Sequence, residues 1–107
     1  MTLHTLTDGS GKVLDTSKAE EYPDASIPDK HGTSKATLDP YERETLYRTT
    51  GGSWIVIRWQ KADAPRSAKK PEVVPIDAAS AMEWLLENDH QEAAKKYFAK
   101  EIDQATL

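Results

Sequence analysis

Six basic side chains, Arg48, Arg58, Lys61, Arg66, Lys69 and Lys70, fall in one central stretch, interleaved with Tyr47, Trp54 and Trp59. Cations attract phosphate and aromatic faces stack on unpaired bases, so this combination has the chemistry for nucleic-acid contact. The same residue types also dominate protein–protein hot spots. The histidines offer less. His4, His31 and His90 are scattered along the chain, and none has a partner at a spacing diagnostic of nucleophilic catalysis. No HExxH, GxSxG or GxxxxGK[ST] motif occurs. Asp8, Asp15, Asp24, Asp29 and Asp39 lack the spacing of a calcium loop and read as solvated carboxylates. With no cysteine there is neither a disulfide framework nor a thiolate metal site. The expectation is a protein that is not an enzyme and holds no cofactor or metal.

Charge is distributed in blocks. The 107 residues carry a net −4, but residues 1–44 carry −4, residues 45–72 carry +4 and residues 73–107 carry −4. A basic centre between acidic flanks reads first as intramolecular balance, and second as a patch that faces an anion or an acidic partner. The acidic total weighs against nonspecific phosphate binding, which needs many uncompensated cations.

The elements that must position these side chains follow from periodicity. The length fits one small α+β domain over residues 1–107. Apolar residues are 37% and charged residues 30%, with a mean hydropathy of −0.71, which is polar for a globular domain and leaves part of the chain outside the core. Residues 3–15 suggest a weak hairpin around Asp8-Gly9-Ser10-Gly11. Ser17 to Tyr22 suggests one helical turn. Residues 23–40 hold Pro23, Pro28, Pro40 and Gly32, with only Ile27 and Leu38 large and apolar. They read as a poorly ordered polar segment.

Residues 44–59 form the clearest element, a β-hairpin closed on Gly51-Gly52. A two-residue turn would set Tyr47 opposite Val56 and Thr49 opposite Trp54. One face would then carry Thr45, Tyr47, Thr49, Trp54, Val56 and Arg58; the other would carry Leu46, Arg48, Ile55, Ile57 and Trp59. The second face is richer in aliphatics and is expected to pack on helices, while a one-residue slip would exchange the faces. Tyr47, Trp54, Val56 and Arg58 would form an outward patch unless the N-terminal segment covers it.

Residues 61–72 read as a basic loop, followed by a short strand that ends near Pro75. Asp77 is a helix cap. Ala79, Met82, Leu85 and Leu86 mark one helix beside Trp84, and Ala94, Tyr97, Phe98 and Ile102 mark a second. Asp89 with Glu92 resembles a capping box between them. The fold class expected is therefore a small antiparallel sheet centred on the hairpin, with two C-terminal helices packed on one face. The N-terminus lacks the pattern of a signal peptide and no stretch is long and apolar enough for a membrane span. A cytoplasmic location is the expectation.

Several blocks occur in a familiar order: Asp15-Thr16 with Ala19, Glu44-Thr45-Leu46-Tyr47-Arg48-Thr49, Gly52-x-Trp54-Ile55, Pro75-Ile76 and Ala81-x-x-Trp84-Leu85. This pattern resembles a widespread family of small, poorly characterised bacterial proteins, often carried on mobile elements. They share an E-T-L-Y-R-T-x-x-G-x-aromatic hairpin and a following A-x-x-W helix. The chain departs from that family after the hairpin, where Pro, Lys and Ala stand in place of a glycine-rich, aromatic loop. The resemblance implies a phage or mobile-element origin and supplies no catalytic residue.

The function expected from the residues and this resemblance is a non-catalytic module that binds another protein, including a second copy of itself. It could modulate or inhibit a host macromolecule such as a defence nuclease. The binding residues are Tyr47, Trp54, Val56, Arg58, Arg66, Lys69 and Lys70. The alternative is a nucleic-acid-binding regulator that uses the basic hairpin and loop.

Overall fold

Gly52 has φ +86°, a value that glycine adopts without the steric cost a Cβ would bring, and this residue sets the register of the central hairpin. In the computed structural model, which describes residues 2–30, 32–61 and 70–107, Thr49 N–H donates to Ser53 O at 2.9 Å and Gly52 N–H donates to Thr49 O at 3.0 Å. That is a three-residue connection with a bulge at the positive-φ glycine rather than a two-residue turn. The strands it joins, β4 (Glu42–Arg48) and β5 (Trp54–Gln60), therefore pair as Arg48 with Trp54, Leu46 with Val56 and Glu44 with Arg58. The register is one residue away from that of the tighter turn, and the two faces are recombined.

The protein is α+β. The chain order is β1 (Leu3–Thr5), β2 (Val13–Asp15), β3 (Glu20–Pro23), β4, β5, β6 (Glu72–Ile76), α1 (Ala78–Glu87) and α2 (Gln91–Ala105). An antiparallel β3-β4-β5-β6 sheet carries the helices on one face and the two-stranded β1-β2 sheet on the other. The helix face buries Leu46, Trp54 and Val56 against Ala81, Trp84, Leu85, Ala94 and Phe98. The opposite face buries Tyr47, Ile55, Ile57 and Val73 under Leu6 and Leu14. The hairpin needed a cover on both sides because both of its faces are apolar, and the N-terminal segment supplies the second cover. No helix among the described residues is long and apolar enough to cross a membrane.

Local expectations and observed elements differ in three places. The segment expected to make a helical turn before Tyr22 is strand β3, because residues 20–23 gain a ladder with Arg48 to Thr45. Tertiary pairing here outweighs a weak local preference. Strand β6 runs through Pro75 to Ile76. Proline is tolerated because β6 is an edge strand and Pro75 turns its ring nitrogen away from β5. Helix α2 starts without a side-chain cap at His90. Asp89, expected as a cap, instead takes φ 65° as the left-handed residue that ends α1, with His90 N–H returning to Leu85 O at 2.8 Å. The Asp77 cap is present, accepting from Ser80 N–H at 2.8 Å.

The long segment after β3 is organised by polar groups. Lys35 N–H bonds to Ala25 O and Ile27 N–H to Thr33 O. Ala25 N–H donates to Asn88 Oδ1, and Ser34 is fully buried. Few apolar side chains are available to this segment, and its hydrogen bonds centre on Asp24.

Candidate functional site

The charged residues of β4 and β5 find their partners inside the chain. Asp24 follows β3 and its carboxylate is 4% exposed. Its Oδ1 accepts from Arg43 Nε at 2.9 Å and Nη2 at 2.6 Å; its Oδ2 accepts from Ser34 Oγ and from Glu44 N–H. Glu44 sits between the sheet and α1. Its Oε2 accepts from Arg58 Nε at 2.9 Å and Nη2 at 2.6 Å, and its Oε1 accepts from the buried Trp84 indole N–H at 3.0 Å. The Glu44 bonds hold the Arg58 guanidinium pKa above its usual value. Arg48 lies over the Tyr97 ring at 4.2 Å and the Trp54 ring at 5.9 Å. Lys61 Nζ donates to Gly32 O at 2.7 Å. Within the basic block, Arg58 is balanced by an acid on the neighbouring strand, whereas Arg48 meets aromatic rings and Lys61 a carbonyl.

The residues expected to form one outward patch are divided. Trp54 and Val56 are buried under the helices, 6% and 5% exposed. Tyr47 lies in the other core, 8% exposed, with its hydroxyl donating to Glu21 Oε1 at 2.8 Å. The outward patch is corrected by the extra turn residue, which places Trp54 and Val56 beside Leu46 rather than beside Tyr47. Arg58 remains exposed, with 43% of its side chain accessible, and so does Lys70. Arg66 and Lys69 lie outside the described residues.

What reaches solvent instead is the end of the hairpin strands remote from the glycine turn. Trp59 is 39% exposed, Tyr41 38% and Leu38 73%. Lys61 N–H bonds to Tyr41 O at 2.8 Å and Trp59 pairs with Arg43, so Tyr41 and Trp59 stand on neighbouring strand ends. Leu38 has φ 57°, an uncommon conformation for a bulky side chain. A shallow cavity of about 190 Å³ opens beside Trp59, lined by Glu42, Arg58, Gln60, Lys70 and Glu72. Trp59 was expected on the helix face. Its exposure follows from the register, and its position at the end of an apolar run is the only sign of it in the sequence.

His90 Nε2 lies 2.6 Å from Pro23 O. A carbonyl only accepts, so this nitrogen carries the proton. The ring stacks on Trp84 at 6.0 Å and meets Tyr22 edge-on at 5.3 Å. Among the described residues no group of three His, Asp or Glu is placed to hold a metal ion.

Two tyrosines make the stability dependent on pH. Burial, reinforced by Glu20 for Tyr22 and by Glu21 for Tyr47, raises both hydroxyl pKa values well above the ordinary one. In the unfolded chain both ionise near about pH 10. Their contribution is therefore complete below that pH and declines as pH rises through it, because the unfolded state releases protons that the folded state retains. The urea midpoint should fall between neutral and strongly alkaline pH, and Tyr22→Phe with Tyr47→Phe should flatten that fall. An unchanged alkaline slope in the double variant would show that these hydroxyls do not control it.

The fold and the exposed strand end define a small α+β domain with an aromatic surface. Comparison with protein-family models, curated proteins and solved structures finds no match to the chain.

Proposed function

We propose that this chain is a non-catalytic protein-binding module whose contact surface is the strand end carrying Tyr41 and Trp59. One observation carries the reading: the two largest exposed aromatic side chains, 38% and 39% accessible, lie on adjacent strand ends. Exposed Trp and Tyr flanked by arginine are characteristic of interface hot spots. This replaces the Tyr47, Trp54 and Val56 patch, whose side chains are buried, and keeps Arg58 and Lys70 at its rim.

The commitments of the basic side chains count against the nucleic-acid-binding regulator. Arg43 and Arg58 are neutralised by Asp24 and Glu44, and the cavity beside Trp59 includes Glu42 and Glu72, which repel phosphate. A phage or mobile-element origin is supported by the hairpin motif alone. It would make a host macromolecule such as a defence nuclease the first partner to test. The absence of cysteine fits a reducing, cytoplasmic setting.

The test is retention of proteins from a bacterial extract by the wild-type chain, by Trp59→Ala and by Tyr41→Ala. We expect a specific partner whose affinity falls about tenfold or more in Trp59→Ala, while folding stability changes by no more than about 0.5 kcal/mol, as for other surface substitutions. A salt-sensitive shift in mass with a mixed DNA and RNA pool, together with Trp59→Ala leaving protein capture unchanged, would overturn the proposal.

A further inference from the structure

Unpaired strand edges are templates for another strand, and folded proteins usually blunt them. Both edges of the four-stranded sheet are blunted. The alternation of backbone bonds turns Glu21 and Pro23 of β3, and Val73 and Pro75 of β6, away from the sheet. Proline has no N–H to offer. Pro23 O is taken by His90, and Val73 exchanges bonds with Thr7 through N–H, O and the threonine hydroxyl.

Strand β2 is different. Leu6 N–H bonds to Lys12 O and Thr16 N–H to Thr2 O. These bonds turn Leu14 toward β1 and the backbone groups of Val13 and Asp15 away from it. Asp15 O accepts from Lys18 N–H. Among the described residues, the N–H and C=O of Val13 and the N–H of Asp15 then face outward without a protein partner, and Val13 is 57% exposed.

This edge borders a groove. Two cavities of about 250 and 160 Å³ adjoin here, sharing Val13, Leu14, Thr49 and Thr50. Leu6, Leu14 and Ile55, each less than a tenth exposed, lie at its base, with β2 as one wall and the β4–β5 turn as the other. Lys12 lines one cavity and Lys18 the other. Between them, the Asp15 carboxylate is engaged by the Ser17 hydroxyl and N–H.

We propose that this groove takes an extended segment of a partner protein, added as a third strand beside β2. Its backbone meets Val13 and Asp15, its apolar side chains cover the base, and acidic side chains at its ends meet Lys12 and Lys18. Main-chain bonds supply affinity and alternate side chains supply specificity in this mode. Lys12 and Lys18 at the two ends of the edge favour a segment with acidic ends over a second copy of β2, which would bring the same lysines to the groove. The groove shares no residue with the Tyr41–Trp59 surface and stands or falls independently of it.

The experiment titrates the intact, isotope-labelled chain with short synthetic peptides of alternating valine and threonine, ended by either aspartates or lysines. The aspartate-ended peptide should shift the Val13 and Asp15 amide resonances, slow their hydrogen exchange, and bind about tenfold tighter than the lysine-ended one at low salt. N-methylation of its backbone should abolish binding. Val13→Pro removes one outward N–H without touching the ladder to β1 and should weaken binding about tenfold. Thr50→Tyr, which fills the groove from the opposite wall, should block binding while the rest of the spectrum stays native. No shift at millimolar peptide, shifts confined to Tyr41 and Trp59, equal affinity for both peptides, or self-association through β2 would each overturn the proposal. Loss of peptide binding here with Trp59-dependent capture intact would reject the groove alone.

Discussion

Asp24→Ala should lower folding stability by about 3–5 kcal/mol, the usual result of removing one partner from a buried ion pair. The carboxylate is 4% exposed, and the Arg43 side chain bound to it is 15% exposed. Alanine would leave the guanidinium without its counter-charge, and it would also strip the Glu44 N–H and the buried Ser34 hydroxyl of their acceptor. A domain of this size is stable by roughly 5–15 kcal/mol in total, so the variant should sit close to the unfolding threshold. Asp24→Asn keeps oxygen acceptance at one atom and should lose less. Arg43→Met, which removes the charge and keeps an apolar stem, separates the pair from the rest of the network in a double-mutant cycle. Denaturant unfolding checks the magnitude. Hydrogen exchange of the Ile27 and Lys35 amides checks the mechanism, because the segment after β3 should open before the sheet does. A loss below about 1 kcal/mol, within the range of an ordinary exposed pair, would show that Asp24 does not organise this segment.

Trp54→Ala should be comparably severe, at about 3–5 kcal/mol for a large aromatic truncated in a core. The indole is 6% exposed, with ring centres 5.5 Å from Phe98, 5.6 Å from Tyr97 and 6.5 Å from Tyr22. Arg48 lies over its ring at 5.9 Å. Truncation removes the contact that ties β5 to α2 and empties space that backbone bonded on both sides cannot readily close. Trp59→Ala, five pairs further along the hairpin, should be near neutral for stability. The contrast reports directly on the register: a two-residue turn with Trp54 outward and Trp59 inward would reverse the two results. Urea or thermal unfolding of the two variants decides between them, and near-ultraviolet circular dichroism should lose its aromatic signal only for Trp54→Ala.

Several elements were legible because local chemistry and long-range packing agree on them. The hairpin was marked by Gly51-Gly52 between alternating strands, α1 by Asp77 and by Met82, Leu85 and the neighbouring Trp84, and α2 by Ala94, Tyr97, Phe98 and Ile102; these apolar helix residues lie in or against the helix-face core, whereas Ala79 and Leu86, expected on the α1 stripe, are exposed. Strand β3 was missed because Glu20-Glu21-Tyr22-Pro23 has little strand character alone and gains it by pairing with β4. Asp24 and Glu44 were missed as organising groups because an acidic residue in sequence looks the same whether it is solvated or buried beside an arginine 19 or 14 positions away.

The exposed surface was the least legible part. Trp54 and Trp59 are similar apolar residues at opposite ends of one strand, and the placement of each depends on one turn residue. Two-residue and three-residue hairpin loops both favour glycine, so Gly51-Gly52 marks the turn without settling its length. Side chains alternate with a period of two, and a single-residue change of pairing therefore reassigns every residue of one strand relative to the other.

The sequence by itself determined the class of the fold, the place of the central hairpin, the two helices and the buried stripe of α2, since each of these follows from short-range periodicity and turn or capping residues. Only the tertiary structure decided the hairpin register, the cover of β1 and β2 over Tyr47, Ile55 and Ile57, the pairing of basic with acidic side chains, and the emergence of Trp59 and Tyr41 at the surface. Those depend on which apolar faces meet and which charges lose water together, and both are properties of residues far apart in the chain.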